Sequence, residues 1–185
     1  MSDIAIVYDR SETDELGIKL TAEEEGLDLE FIPFHKTVVE ISDKGFHYRS
    51  RGRNYNDVLE GSTVILNRTQ SKSRRILASA IFEAMDKHVI NPHSVEMVCQ
   101  SKIKTLLKLQ KHGVSFPKTV YIPCNVQEYR LQGGKYDYSN IISDLITGQL
   151  GMKNIVLKPD GGTHGRGIRL ARDRTDLDEM LLDIT

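Results

Sequence analysis

The sequence has little cysteine, no surplus of either charge and no long apolar run, and each shortage removes a class of protein. Two cysteines in 185 residues, Cys99 and Cys124, are too few for a disulfide framework. Together with six scattered histidines they make no CxxC or HxxxH spacing, so no zinc site is expected. Lysine and arginine number 25 against 26 aspartates and glutamates, a formal charge of −1. A near-neutral chain has no overall field to gather nucleic acid or anionic membrane, although a local basic patch remains compatible with it. No stretch approaches the ~20 apolar residues of a membrane span. The opening MSDIAIVYDR lacks the basic and apolar regions of a signal peptide. A cytoplasmic protein without nucleic-acid or membrane partners is expected. What is present, 39% hydrophobic and 28% charged residues, suits a packed core in one ordinary domain or two small ones.

The apolar pattern alternates between strand and helix. Ile4 to Tyr8 reads as a buried strand, and Ser11 can cap a helix carrying Leu16, Ile18 and Leu20. Leu29 to Phe34 is a second strand. Val38 to Ile41 and Phe46 to Tyr48 flank a hairpin turn at Asp43-Lys44-Gly45. Val64 to Leu66 is a further strand, after which Ser71 can cap a helix with Ile76, Leu77, Ala80, Ile81, Ala84 and Met85 at helical spacing. Val89-Ile90 closes on Asn91-Pro92. This alternation predicts an α/β layer with an open, mostly parallel sheet over residues 1–92.

The second part opens with a helical pattern from Ser94 to Lys111, ended by Gly113. Val114 to Ile122 is extended, since Pro117 forbids helix. These residues, 93–122, form a linker of helix and strand. Residues 123–185 then hold a turn at Gln132–Lys135, a helix capped by Ser139, two strands (Ile155 to Leu157 and Ile168 to Ala171) and a last helix from Asp173 onward.

Between those two strands lies Gly161-Gly162-Thr163-His164-Gly165-Arg166-Gly167. It lacks P-loop spacing and sits between two strands, the wrong context for a dinucleotide fingerprint. A strand–loop–strand glycine flap is able to fold over a polyphosphate, because its bare N–H groups donate to oxygens that side chains would keep away. Four glycines alone are equally consistent with a plain hairpin. Lys158, at the end of the preceding strand, adds a compact positive charge beside the same place. Arg68, at the carboxyl end of a predicted strand, and Arg74 and Arg75 in the next helix are candidates to grip an acidic group in a bidentate fork. A solvated basic face explains them as well. No catalytic residue is assigned.

The order of the pieces carries more than any one of them. Val89-Ile90-Asn91-Pro92, Lys102 opening a helix, Gly113-Val114-x-x-Pro117-x-Thr119, Val156-Leu157-Lys158-Pro159 and a loop ending Gly165-Arg166-Gly167-Ile168 together resemble the ATP-grasp ligases. Within them the chain is most similar to the RimK and LysX branch, with Val95-Glu96-x-x-Cys99 pointing to LysX. Cys99 itself is read as a core residue. The resemblance runs from about Asn67 to Ala171. It implies an open pre-ATP-grasp sheet followed by the α+β lid of the ATP-grasp fold, with the C-terminal half of that fold outside these 185 residues.

By position the resemblance assigns nucleotide-phosphate contacts to Lys102 and Lys158. It assigns the closing loop to Gly161, Gly162, Thr163, His164, Gly165, Arg166 and Gly167. The family usually has aspartate where this chain has Ser101. Further implied are ATP, magnesium, a carboxylate acceptor (protein or small molecule) and an amino acid such as glutamate, in a possible homo-oligomer. Asp173, Asp176, Asp178, Glu179 and Asp183 read as the solvated face of the last helix, so magnesium ligands are expected outside this chain. The chain alone is then expected to be inactive, the front half of a longer enzyme. The alternative is a non-catalytic module that binds a nucleotide or a partner.

Overall fold

The computed structural model describes residues 3–10, 13–123, 138–162 and 164–183. Ser11, the turn at 132–135, Cys124 and Thr163 lie outside the described residues, as does the side chain of Ser139. The chain divides into two compact units, Met1–Gln100 and Ser101–Thr185.

The first unit is built on four parallel strands: β1 (Ile4–Tyr8), β2 (Leu29–Pro33), β6 (Val64–Arg68) and β7 (His88–Ile90), in the order β2-β1-β6-β7. The sheet is in register from Ile4 opposite Leu29 and Val64 to Tyr8 opposite Pro33 and Arg68. Ala5, Ile6 and Val7 are all buried, as expected of a central parallel strand covered on both faces. Inserted after β2 is an antiparallel ribbon of β3 (Thr37–Ser42), β4 (Gly45–Ser50) and β5 (Arg53–Asn54), followed by the short helix α2 (Asn56–Gly61). Tyr48 of β4 is fully buried, its ring centroid 5.9 Å from that of Phe82 and 6.4 Å from that of Phe34. Burial pushes its phenol far up from the ordinary value, and the hydroxyl donates to Pro33 O at 3.3 Å.

Helix α1 (Thr13–Glu24) turns a different face inward from the one its leucines suggest. Leu16 and Leu20 are exposed, whereas Glu15 and Ala22 are buried with Ile18 half-buried between them. The rotation places Glu15 within 3.7 Å of Arg68 at the end of β6, so an ion pair decides the face against apolar content.

Helix α3 (Lys72–Ala84) has Ser71 at its N-cap, but the Ser71 side chain makes no capping bond. The cap comes from β1 instead. Asp9, 1% exposed, accepts from Gln70 N and Ser71 N at 3.0 Å each and from Arg74 Nε at 2.8 Å. The first amides of a helix have no partner within it, and a carboxylate answers both the missing acceptors and the helix dipole. The pattern expected as one helix from Ser94 to Lys111 is two, α4 (His93–Cys99) and α5 (Lys102–Lys111), broken at Gln100–Ser101. Ser101 causes the break by capping α5, accepting from Lys104 N at 3.2 Å. Helix α4 packs on α3 within the first unit. Its inward residue is Glu96, 4% exposed, whereas Cys99, expected in the core, is exposed.

In the second unit, α6 (Tyr138–Leu150) and α7 (Arg174–Asp183) pack with the antiparallel pair β8 (Ile155–Leu157) and β9 (Arg169–Ala171) around Ile142, Ile146, Ile155, Ala171, Leu177 and Leu181. Arg174 clamps the two helices, donating to Asp144 Oδ1 at 2.6 Å, Asp178 Oδ1 at 3.0 Å and Asn140 O at 3.1 Å. Asp173, expected on the solvated face, accepts from Asp176 N at 2.9 Å and caps α7.

Replacing Asp9 with alanine is expected to cost about 2 kcal/mol, since charge-assisted bonds to two amides and an arginine go together. Hydrogen exchange of the β1 and β6 amides would measure it, and unchanged protection would show that α3 finds another cap.

Candidate functional site

The glycine loop between β8 and β9 is folded around one proline. A methyl group on Gly162 would meet Pro159 Cγ at 2.8 Å and Arg166 O at 3.1 Å; one on Gly167 would lie 3.1 Å from Pro159 Cγ. Both glycines are therefore needed for close approach. Gly161 and Gly165 face open space, and the backbone turns through left-handed residues at His164 (φ 54°), Gly165 and Gly167 (φ 71° each). Ile168 N closes the turn on Gly165 O at 3.2 Å.

The near limb of the loop is fixed to the start of α5. Lys102 Nζ donates to the carbonyls of Pro159 (2.7 Å), Asp160 (3.1 Å) and Gly162 (3.1 Å). In the opposite sense, Asp160 Oδ1 accepts from Ile103 N at 2.9 Å, and Asp160 O from Lys102 N at 3.4 Å. The Ile103 amide, then the Ser101 hydroxyl and Lys102, hold the Asp160 carboxyl below its ordinary pKa against an opposing contribution from burial. Asp160 was not singled out from sequence, and Pro159 only as the end of the Val156–Pro159 motif. Fifty-seven positions separate Asp160 from Ile103, so no local pattern reports the contact. The available signal was Ser101: with serine in place of the family's aspartate, the negative charge at this helix start comes from Asp160.

Lys158 and Arg166 are exposed and make no hydrogen bond or ion pair among the described residues. Strand alternation gives this part of the ribbon two faces. The cross-strand pair Ile155–Ala171 is buried in the core, while the next pair, Val156–Leu170, is exposed on the other face. Lys158, two residues beyond Val156, continues that outer side. An apolar strip ending in a free cation and open glycine backbone suits a ligand with a flat apolar part and a phosphate tail.

The arginines proposed for an acidic group all engage carboxylates of the first unit. Arg68 Nη2 lies 3.1 Å from Asp14, Arg74 Nε 2.8 Å from Asp9, and Arg75 Nε 2.7 Å from Glu96. Asn67, at the same edge, is buried and donates to Arg75 O at 2.8 Å and Ser79 Oγ at 2.9 Å, tying β6 to α3. Among the described residues no group of three His, Cys, Asp or Glu side chains is placed to hold a metal ion, and no helix is long and apolar enough to cross a membrane.

An open parallel sheet, a helix opened by a lysine and a strand–glycine loop–strand ribbon, in this order, give the chain the fold of the ATP-grasp proteins. The solved structures agree on the fold. A RimK domain ATP-grasp protein from Sphaerobacter thermophilus superposes with a TM-score of 0.63 at 14% identity, over 98% of this chain and 58% of that one. The ATP-grasp ligase PsnB, complexed with minimal precursor, Mg and ADP, gives 0.60 at 13% identity, over 98% and 61%.

Within the class the chain is RimK/LysX-like. It is 30% identical over 159 residues to the alpha-aminoadipate–LysW ligase LysX of Sulfurisphaera tokodaii, covering 86% of this chain and 50% of the relative. The LysX of Sulfolobus acidocaldarius is 33% identical over 69 residues, 37% of this chain and 24% of that one. The chain thus spans half the length, or less, of these curated relatives. No family model matches it.

A depressed carboxyl pKa stabilises the folded state above the unfolded value near ~4, and the contribution is lost as pH falls through the folded value. The melting-temperature gap between the parent chain and Asp160→Asn is therefore expected to be full near neutrality and to shrink below about pH 4. A gap that stays constant into acid would mean that the Asp160 charge does not matter to α5. Gly162→Ala, which drives a methyl into the Pro159 ring, is expected to destabilise the second unit by about 1–3 kcal/mol, as overpacking does. Thermal unfolding checks it.

Proposed function

We propose that this chain is the front portion of an ATP-dependent carboxylate–amine ligase of the glutamate-ligase kind, and that the β8–β9 ribbon is its nucleotide-facing lid. The observation that carries the reading is the outer side of the ribbon, where Val156 and Leu170 lead to Lys158 and the glycine loop while Lys102 grips the loop from behind. The carboxylate takes the γ-phosphoryl group of ATP, releasing ADP and forming an acyl phosphate, which an amine then opens to an amide with release of phosphate.

The residues of this chain bind and position. Lys158 offers a compact charge to the phosphates, and Gly161 and Gly165, where a Cβ would meet only open space, leave room for their approach. Exposed Val156 and Leu170 give the base an apolar seat. Lys102 acts on the phosphates through the loop, since its three hydrogen bonds go to loop carbonyls. Magnesium has no cluster of ligands among the described residues, so no step is assigned to it. The acceptor carboxylate and the amino acid added belong to the whole enzyme. The LysX relatives are named for joining alpha-aminoadipate and LysW, which favours an amino-acid substrate here as well.

Binding of a fluorescent ATP analogue to the purified chain tests the reading. Lys158→Ala is expected to weaken it about tenfold, the loss of roughly 1.4 kcal/mol of charge-assisted contact. Lys102→Ala is expected to weaken it too, but with faster hydrogen exchange over residues 159–167, which Lys158→Ala leaves unchanged. Binding indifferent to both substitutions would sink the lid assignment and favour a partner-binding module.

A further inference from the structure

A second cluster of charge lies in the first unit, at the carboxyl edge of its parallel sheet. Three hydrogen bonds assemble it. Phe34 N donates to Tyr8 O at 2.7 Å, which brings His35 and Lys36 beside Asp9. Ser50 Oγ donates to Lys36 O at 3.1 Å, which brings the β4–β5 turn, and with it Arg51, to the same edge. Asp9 holds Arg74 Nε at 2.8 Å, which adds a third cation from α3.

The balance of charge is uneven. Asp9 is buried and already accepts from two amides and Arg74, whereas Lys36 and Arg51 are exposed and make no ion pair or hydrogen bond from their side chains among the described residues. The Arg74 side chain is 45% exposed and meets Asp9 through Nε, its outer nitrogens making no hydrogen bond or ion pair among the described residues. His35 Nδ1, also at this edge, is buried without a hydrogen-bond partner among the described residues.

Arg51 breaks a local rule. It sits with Gly52 in the two-residue turn between Ser50 and Arg53, at φ 50° and 81° respectively. Such a turn favours asparagine, aspartate or glycine at its first position, since a long side chain is strained there. Strain without a structural return is a mark of function. Here its effect is to hold a guanidinium at the edge where open α/β sheets take their ligands.

We propose that this edge is a binding site for a small anion, a carboxylate or phosphate group gripped by Lys36, Arg51 and the outer nitrogens of Arg74 beside His35. The site does not rest on the nucleotide reading of the second unit. Arg68 and Arg75, spent on Asp14 and Glu96, take no part. Burial first, then the charges of Lys36, Arg51 and Arg74, lower the His35 pKa, and Asp9 opposes them. An added anion acts in the direction of Asp9, so His35 reports occupancy by a rise in its pKa.

The test is a titration of the chain with glutarate and, separately, inorganic phosphate at constant ionic strength, read on the His35 ring by NMR. A saturable shift is expected with at least one of them, and the tighter binder identifies carboxylate or phosphate as the source. Lys36→Ala and Arg51→Asn are each expected to weaken it by roughly threefold or more, the worth of one partly exposed charge contact. Lys158→Ala is expected to leave it unchanged. Arg51→Asn has a second readout: asparagine suits the left-handed turn, so melting temperature rises or holds while anion affinity falls. The proposal is overturned if neither probe saturates, if chloride reproduces the shift, or if both substitutions leave affinity intact.

Discussion

A helix begins with amides that nothing inside it satisfies, and in both units an aspartate from elsewhere in the chain supplies the answer. Asp9, just after β1, closes the start of α3; Asp160, three residues beyond β8, closes the start of α5. Each carboxylate gains from the helix dipole and from direct N–H donors, and each fixes the segment that carries it. For Asp9 the fixed segment is the carboxyl edge of the parallel sheet. For Asp160 it is the near limb of the glycine loop. Both candidate sites are thus held by the same physical device.

The second unit joins this device to a lysine that works in reverse. Lys102 stands at a helix start, where a cation is unfavourable by the dipole alone, but its ammonium is taken up by three carbonyls of the loop that Asp160 anchors. The two residues form a mutual brace, donor to carbonyl in one direction and amide to carboxylate in the other. Gly162 and Gly167 then let the loop wrap Pro159 without a Cβ in the way. The glycines serve two purposes that their sequence positions do not separate, since Gly161 and Gly165 leave the outer side open. The lid role proposed for this loop needs both a rigid root and bare backbone at its tip.

Much of the architecture was legible because it is periodic. Strands β1, β2, β6 and β7 and helix α3 follow apolar runs and helical spacing within a residue or two. The family resemblance rested on five short motifs in order, which the fold bears out. Two of the failures come from a polar partner far away in sequence, and the third from a local cap. Leu16 and Leu20 suggested the inner face of α1, but the Arg68–Glu15 pair rotates the helix. The single helix expected over 94–111 breaks because Ser101 caps a new one, and Cys99 faces outward because Glu96 turns inward to Arg75.

By itself the sequence determined the alternation of strand and helix, the place of the glycine loop between two strands, and the class of protein to which those pieces belong. These are properties of neighbours along the chain, where hydrophobic period and turn chemistry act locally. Only the tertiary structure decided what the charged groups do. It spent Arg68 and Arg75 on internal carboxylates, held Arg74 to Asp9 by its Nε alone, turned Lys102 toward the loop, left Lys158 and Arg51 open, and gave Asp9 and Asp160 their helices. The reason is range. An ion pair or a capping bond is satisfied by whichever partner folding brings within about 3 Å, and sequence separation carries no information about that distance.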